Sequence, residues 1–301
     1  FYCMPEEDYL FTPASKLMQP DEIYELAKIF VDQGIDKIRL TGGEPLVRKD
    51  AAEIILALSE LPVKLTLTTN GTRLHEFIDV LQKARIQSLN ISLDTLQPDT
   101  FMLLTRRNQF QTVMNNIQLL LDKNFHVKLN VVVMRGINEK EILDFVAWTK
   151  DSPVHVRFIE FMPFSGNHWS SNKVFTMNEI LELIGEKYAY NRLTDEKHDT
   201  AKKFQVPGHA GTFAIISTMS ANFCGDCNRL RLTADGKMKN CLFAEHETDL
   251  LTALRSGQPI LPLVQQNIAQ KAASLGGQFT PDFQRIEAEA IHNRSMITIG
   301  G

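Results

Sequence analysis

Cysteine is scarce in this chain, with four in 301 residues, and so is tryptophan, with two. Three of the four cysteines, Cys224, Cys227 and Cys241, share one short stretch, which excludes a fold stapled throughout by disulfides. No apolar run approaches the ~20 residues that a membrane-spanning helix needs. Stretches such as 129–134 are strand-sized and broken by polar groups. An excess of either charge is also missing: 32 Lys and Arg stand against 36 Asp and Glu, a net charge of -4. The whole molecule is therefore no match for a nucleic-acid backbone, and an anionic ligand has to be held by a local cluster of cations. A Gly-x-x-x-x-Gly-Lys phosphate loop is absent, so such a cluster must come from separate segments. The opening FYCMPEEDYL has neither an initiator Met nor a basic leader region, which points to a clipped start and a cytoplasmic chain.

What is present is a globular composition, 44% apolar and 23% charged, arranged in a strong alternation. Ile23, Leu26, Ala27, Phe30 and Val31 recur at helical spacing up to Gly34, and 36–40 is a short apolar strand. The pattern returns with helices over 51–61, 74–85, 111–124 and 139–150, followed by strands over 63–68, 87–92, 127–133 and 154–160. Five helix-strand units predict a parallel α/β sheet, either open and doubly wound or curved into a barrel. After about residue 164 the alternation stops, so the chain divides into 1–164 and 165–301. In the second part 174–188 reads as a helix and 195–209 as a polar loop. A hairpin is expected between 230–233 and 237–242 across Asp235-Gly236.

In either architecture ligands bind at the carboxyl ends of the strands. Those ends read Arg39-Leu40-Thr41-Gly42-Gly43-Glu44-Pro45, Thr68-Thr69-Asn70-Gly71, Ser92-Leu93-Asp94 and Glu160-Phe161-Met162-Pro163. Each alone is an ordinary turn; four at one end of one sheet point to a shared site. Cys224-Gly225-Asp226-Cys227 offers two thiolates to one metal centre, and Cys241 returns to them across the hairpin. A structural zinc would take a fourth ligand, with His246 nearest, whereas a three-thiolate iron-sulfur cluster would leave one iron open; spacing alone leaves both readings standing, beside a third in which the cysteines are buried structural residues. Beside the second thiol, Arg229 and Arg231 occupy alternate positions of a strand and share a face, which suits a polyphosphate. Lys128 and Arg39, on other strands, are further anion-binding residues.

Taken as a set these residues resemble the radical S-adenosylmethionine enzymes. Tyr2-Cys3-Met4-Pro5 looks like the tail of their Cys-x-x-x-Cys-x-x-Cys motif, with Cys3 as its third cysteine, and Leu40-Thr41-Gly42-Gly43-Glu44-Pro45 looks like their Gly-Gly-Glu motif. With Cys224, Cys227, Cys241, the Arg229/Arg231 pair and a terminal Gly300-Gly301, the chain is similar to the GTP 3′,8-cyclase family of molybdenum-cofactor biosynthesis. The resemblance implies a partial (β/α)6 TIM-like barrel, its first strand missing from this chain, with a C-terminal cluster-binding region. It implies two 4Fe-4S clusters, one that binds S-adenosylmethionine and a second, on Cys224, Cys227 and Cys241, that binds the guanine of GTP.

The implied reaction begins with a 5′-deoxyadenosyl radical, which takes hydrogen from the ribose 3′ carbon. Closure onto guanine carbon 8 then gives 3′,8-cyclo-7,8-dihydro-GTP. Implied cofactor contacts are Tyr2, Gly43, Ser92 and Met162, with Glu44 near the methionyl amine; implied GTP contacts are Arg39, Thr68, Lys128, Arg229, Leu230 and Arg231. The resemblance further implies that the tail, here Gly300-Gly301, enters the active site and that the product passes to an enzyme making cyclic pyranopterin monophosphate, and it admits a homodimer. No nucleic-acid or membrane partner is expected. Because the first two cysteines of the N-terminal motif are absent, the 301-residue piece is expected to be inactive alone and to take up about four irons rather than about eight. Two other readings fit the same residues. One is a radical enzyme of the peptide-maturase type, separable by GTP affinity; the other is a non-enzymatic zinc-binding α/β protein, separable by its lack of colour.

Overall fold

The computed structural model describes residues 12–221, 223–279, 282–287 and 291–299. Tyr2, Cys3, Gly300 and Gly301 lie outside the described residues. The first helix, α1 (Pro20–Asp32), opens with proline at its first turn, and the Glu22 carboxylate accepts from the Gln19 backbone N–H at 2.7 Å. Gly34, with φ +93°, takes the left-handed turn that releases the chain into β1 (Lys37–Leu40). The alternation then continues through α2 (Ala51–Leu58), β2 (Lys64–Thr69), α3 (Leu74–Lys83) and β3 (Ser88–Ser92). Two helices follow, α4 (Pro98–Thr105) and α5 (Phe110–Asp122), before β4 (His126–Val133), α6 (Ile142–Trp148) and β5 (His155–Glu160). α4 was not anticipated; it buries only Phe101 and Leu104, too few apolar positions to announce a helix.

Beyond β5 come α7 (Met177–Gly185), β6 (Asn191–Arg192), β7 (Lys202–Gln205) and β8 (Thr212–Ile216). The expected loop over 195–209 is thus corrected, because β7 pairs antiparallel with β8. Its single apolar anchor is Phe204, buried and stacked on Phe213 at 5.2 Å, and the polar residues around it hid the strand. β8 lies parallel to β5, so residues beyond 165 also build the main sheet.

The sheet order is β1-β2-β3-β4-β5-β8-β7-β6, and the first six strands in that order are all parallel. Side chains alternate across it. Leu65, Leu67, Leu89, Ile91, Val127, Leu129, Val131, Val156, Phe158, Phe213 and Ile215 enter one core with the helices. The opposite face carries the in-between residues, which are mostly polar, and it is this face that matters for chemistry.

A second, smaller sheet follows, of β9 (Arg231–Leu232), β10 (Lys237–Lys239) and β11 (Thr248–Asp249), with α8 (Leu250–Arg255) and α9 (Ile260–Ala269) beside it. The expected hairpin is present: Met238 pairs with Leu232 and Lys239 with Arg231. At its turn Gly236 has φ +70°, and a Cβ there would meet the Leu251 Cβ at 2.3 Å, so glycine is required twice over. Met18 and Leu26 share an apolar cluster with Met238, Leu250 and Val264, which seats this unit against α1. A short α10 (Met296–Ile299) ends the described chain. No described helix is long and apolar enough to cross a membrane.

Candidate active site

The polar face of the sheet is continuous across its strands. Arg39 is in register with Thr66, Thr68 with Asn90, Asn90 with Lys128, Lys128 with His155, and Asn130 with Arg157. Arg39 Nε donates to Thr66 Oγ1 at 3.4 Å, Asn90 Nδ2 to Thr68 Oγ1 at 3.1 Å, and Arg157 Nε and Nη2 to Asn130 Oδ1 at 2.9 and 2.6 Å. Lys37 and Lys64 are in register with each other, two residues before Arg39 and Thr66, on the same face. Among the described strand residues of this face there is no carboxylate.

Like charges crowded on one half-buried surface destabilise one another, and their proton affinities record it. Burial, then the Arg39 and Arg229 charges, pushes the Arg157 guanidinium down to about 9. Burial, followed by Arg157, Arg39, Lys37 and Lys64, takes Lys128 down to about 8. His155, buried beside Arg157 and Lys128, falls to about 3 and stays neutral near Thr212. Such a surface is poised to receive a polyanion, which would relieve the repulsion as it binds.

The arginines of the second unit reach the same region. Leu230 and Leu232 pack into the apolar cluster around Met238, so Arg229 and Arg231 are turned to the other side, as their alternation predicted. Arg229 lies over the Phe223 ring at 5.0 Å and within electrostatic range of Arg39 and Arg157. Burial and then Arg229 push Arg231 down to about 10, against the opposing influence of the Cys241 and Cys227 thiols. With its side chain committed to the apolar cluster, Leu230 has only its backbone to offer a ligand.

The three cysteines meet this cationic surface at the carboxyl end of β5. Cys224 and Cys241 pack on Phe164, Phe243 and Leu275; Met162, just past β5, touches the same cluster, and the rings of Phe164 and Phe243 stack at 5.7 Å. The Leu275 backbone N–H donates to Cys224 Sγ at 3.3 Å, and Lys271 Nζ lies 3.8 Å from Cys227 Sγ. Burial pushes the Cys227 thiol up, but the Arg229 backbone N–H and guanidinium and the Lys271 ammonium outweigh it, leaving the thiol below its ordinary value. All three thiols are free. Among the described residues no three His, Cys, Asp or Glu side chains converge on one metal-ion position, and His246 is exposed. Three free thiols flanked by cations are the donor set that a three-thiolate iron-sulfur cluster takes, whereas a closed tetrahedral zinc site takes a fourth ligand.

The Gly-rich loop after β1 has a different construction. Gly43 is exposed in its turn, and the Glu44 carboxylate accepts from Leu46 N at 3.1 Å, Thr69 Oγ1 at 2.7 Å and Asn70 N at 2.6 Å. Burial raises the Glu44 carboxyl, and these three hydrogen bonds pull it back. Glu44 therefore ties the loop after β1 to the end of β2, a role its position in the motif did not disclose. Ser92 is exposed at the end of β3, in register with Asn130.

By the resemblance, the strand-end run Arg157-Phe158-Ile159-Glu160-Phe161-Met162 falls where such enzymes contact their cofactor, which does not mark Arg157 as an anion-binding residue, and Asn90, Asn130 and His155 belong to no motif. The available signal was polar residues alternating with Val127, Leu129, Val156 and Phe158 in strands whose other face is fully buried.

Comparison with known proteins bears on the whole arrangement. Residues 1–149 match the radical SAM superfamily and 154–276 match Molybdenum Cofactor Synthesis C. The mitochondrial GTP 3′,8-cyclase of Arabidopsis thaliana is 43% identical over 307 residues, covering 100% of this chain and 77% of the relative. The chain belongs to the GTP 3′,8-cyclase family. Membership of the radical SAM superfamily carries with it a 4Fe-4S cluster and S-adenosylmethionine. Molybdenum cofactor biosynthesis protein 1 of Homo sapiens is 43% identical over 305 residues, 99% of this chain, so the chain spans about half (47%) of that relative's length. Streptococcus suis SuiB bound to S-adenosylmethionine shares the fold, with a TM-score of 0.53 at 14% identity over 79% of this chain and 55% of SuiB.

Proposed function

We propose that the full-length protein converts GTP to (8S)-3′,8-cyclo-7,8-dihydroguanosine 5′-triphosphate, the first step of molybdenum-cofactor biosynthesis. The observation that carries the reading is the juxtaposition of three free thiols with a cationic face whose described strand residues include no carboxylate. Arg39, Lys128 and Arg157 from three strands, with Arg229 and Arg231 from the second unit, neutralise the triphosphate that no phosphate loop is present to hold. Thr68, held by Asn90, presents its hydroxyl on the same face, and the Leu230 backbone is available to the base. Cys224, Cys227 and Cys241 hold a second 4Fe-4S cluster, placed to bind the guanine. The two clusters and S-adenosylmethionine supply one-electron radical chemistry when bound.

The remaining assignments belong to the same proposal. Gly43, Ser92 and Met162 contact S-adenosylmethionine, with Glu44 holding the Gly-rich loop in place for its amino group. Cys3 serves the first cluster and Tyr2 the cofactor, while Gly300-Gly301 reaches the site. The sheet is the partial barrel of the family. Its parallel strands run in sequential order with no reversal, so crossovers of the usual hand fall on one face and leave the other as a lined concavity. The barrel part then takes in residues 1–164 together with the strands β6–β8, the second cluster belongs to the segment after β8, and GTP lies between the two. The product goes to an enzyme that forms cyclic pyranopterin monophosphate. A reducing compartment such as the cytoplasm suits the free thiols, although the Arabidopsis relative is named as mitochondrial.

The test is to incubate the anaerobically prepared full-length protein with S-adenosylmethionine, with and without GTP. GTP-dependent release of 5′-deoxyadenosine is expected; release that ignores GTP, or none, contradicts the assignment.

A further inference from the structure

Lys271 follows the end of α9, and nothing in the proposed reaction calls on it. Its ammonium nevertheless makes three contacts on the segment that carries Cys227 and Arg229. It donates to the Cys227 carbonyl at 2.8 Å and to the Arg229 carbonyl at 3.2 Å, and it lies 3.8 Å from Cys227 Sγ. Among the described residues Lys271 makes no ion pair, so its charge is not spent on a carboxylate. Compare Lys239, two residues before Cys241, whose ammonium lies 3.6 Å from Glu247 and 2.8 Å from the Asn293 amide oxygen. A cation that grips two carbonyls of one turn fixes the turn's shape, and a net charge beside a ligating sulfur lowers the cost of adding an electron there.

We propose that Lys271 is a positioning residue of the second cluster: it locks the 227–229 turn so that Arg229 faces the substrate, and its positive charge, paired with no carboxylate among the described residues, raises the cluster's reduction potential. The proposal rests on the reading of Cys224, Cys227 and Cys241 as cluster ligands. Holding both carbonyls of the turn constrains the backbone on either side of Asn228 and keeps the Arg229 guanidinium on the ring of Phe223. Lys271 thereby couples two properties that chemistry at this site needs together, the electronic state of the cluster and the direction of a phosphate-binding arginine.

The experiment uses the protein with Cys3→Ser, so that only the second cluster contributes, comparing Lys271→Met and Lys271→Arg after anaerobic reconstitution. Iron content, the midpoint potential from an EPR-monitored redox titration, and the GTP dissociation constant are read for each. Lys271→Met is expected to keep its iron, shift the potential to more negative values and weaken GTP by about tenfold. Lys271→Arg, which keeps the charge, should recover most of the potential. Should Lys271→Met lose its iron while Lys271→Arg retains it, the requirement for a cation is upheld. Loss of iron in both, or an unchanged potential or GTP affinity in an iron-replete Lys271→Met, overturns the proposal. A parent protein that takes up no iron-sulfur cluster instead refutes the underlying cluster reading, and the two failures are thus distinct.

Discussion

Replacing Arg157 with methionine should make the empty protein more stable and the GTP complex weaker. The guanidinium is held among Arg39 and Arg229 with no ion pair to a carboxylate among the described residues, and burial with those charges brings its proton affinity down to about 9. A fall of that size corresponds to about 5 kcal/mol of unfavourable environment for the charged form. Against it, Arg157→Met removes two hydrogen bonds to Asn130, at 2.9 and 2.6 Å, and leaves that amide oxygen with one partner fewer, a loss of about 3 kcal/mol. The balance favours the variant by ~2 kcal/mol in the absence of ligand. In the complex the sign reverses, because a charge-assisted contact to a phosphate is gone and GTP should bind about 100-fold more weakly. Denaturant midpoints of the ligand-free proteins and calorimetric GTP titrations measure both. An Arg157→Met protein that is less stable than the parent when empty, or that binds GTP equally well, refutes the picture of a frustrated cationic face.

Three other outcomes follow from the same structure. Lys128, lowered to about 8 by burial and its cationic neighbours, is charged in both folded and unfolded states below that pH. Between pH 8 and its ordinary range the unfolded chain binds the extra proton, so ligand-free stability should rise with pH there, and GTP binding near pH 8 should take up protons, measurable as a buffer-dependent binding enthalpy. Gly236→Ala, which places a methyl 2.3 Å from Leu251 Cβ at a positive φ, should cost at least about 2 kcal/mol in denaturant unfolding. Arg294 bridges Asp235 at 2.8 Å and Glu247 at 2.5 Å, and Arg294→Met should destabilise by about 3 kcal/mol, with part of the loss recovered by adding Glu247→Gln, since two facing carboxylates would otherwise remain.

The helix-strand alternation was legible because each parallel strand is an apolar run between amphipathic helices, and that pattern survives in the sequence alone. β7 was not, since one buried phenylalanine holds it in place. For the site, the motifs announced Arg39, Lys128, Arg229 and Arg231 individually, whereas the membership of Arg157 depends on register. It joins the cationic face because Asn130 of β4 lies opposite it in β5, and pairing of that kind is set by the sheet. Glu44 shows the converse. Its motif marks it as a ligand contact, yet the folded chain uses both carboxylate oxygens to hold its own loops together.

The claim beneath all of this is that thiols and guanidiniums form one pocket for one molecule of GTP. Titrating GTP and ATP into the Cys3→Ser protein, with and without the reconstituted second cluster, tests it most directly. The account predicts that both nucleotides bind the cluster-free protein through their triphosphates, and that loading the cluster tightens GTP by at least about tenfold while leaving ATP unchanged. Equal GTP affinity with and without the cluster would contradict it.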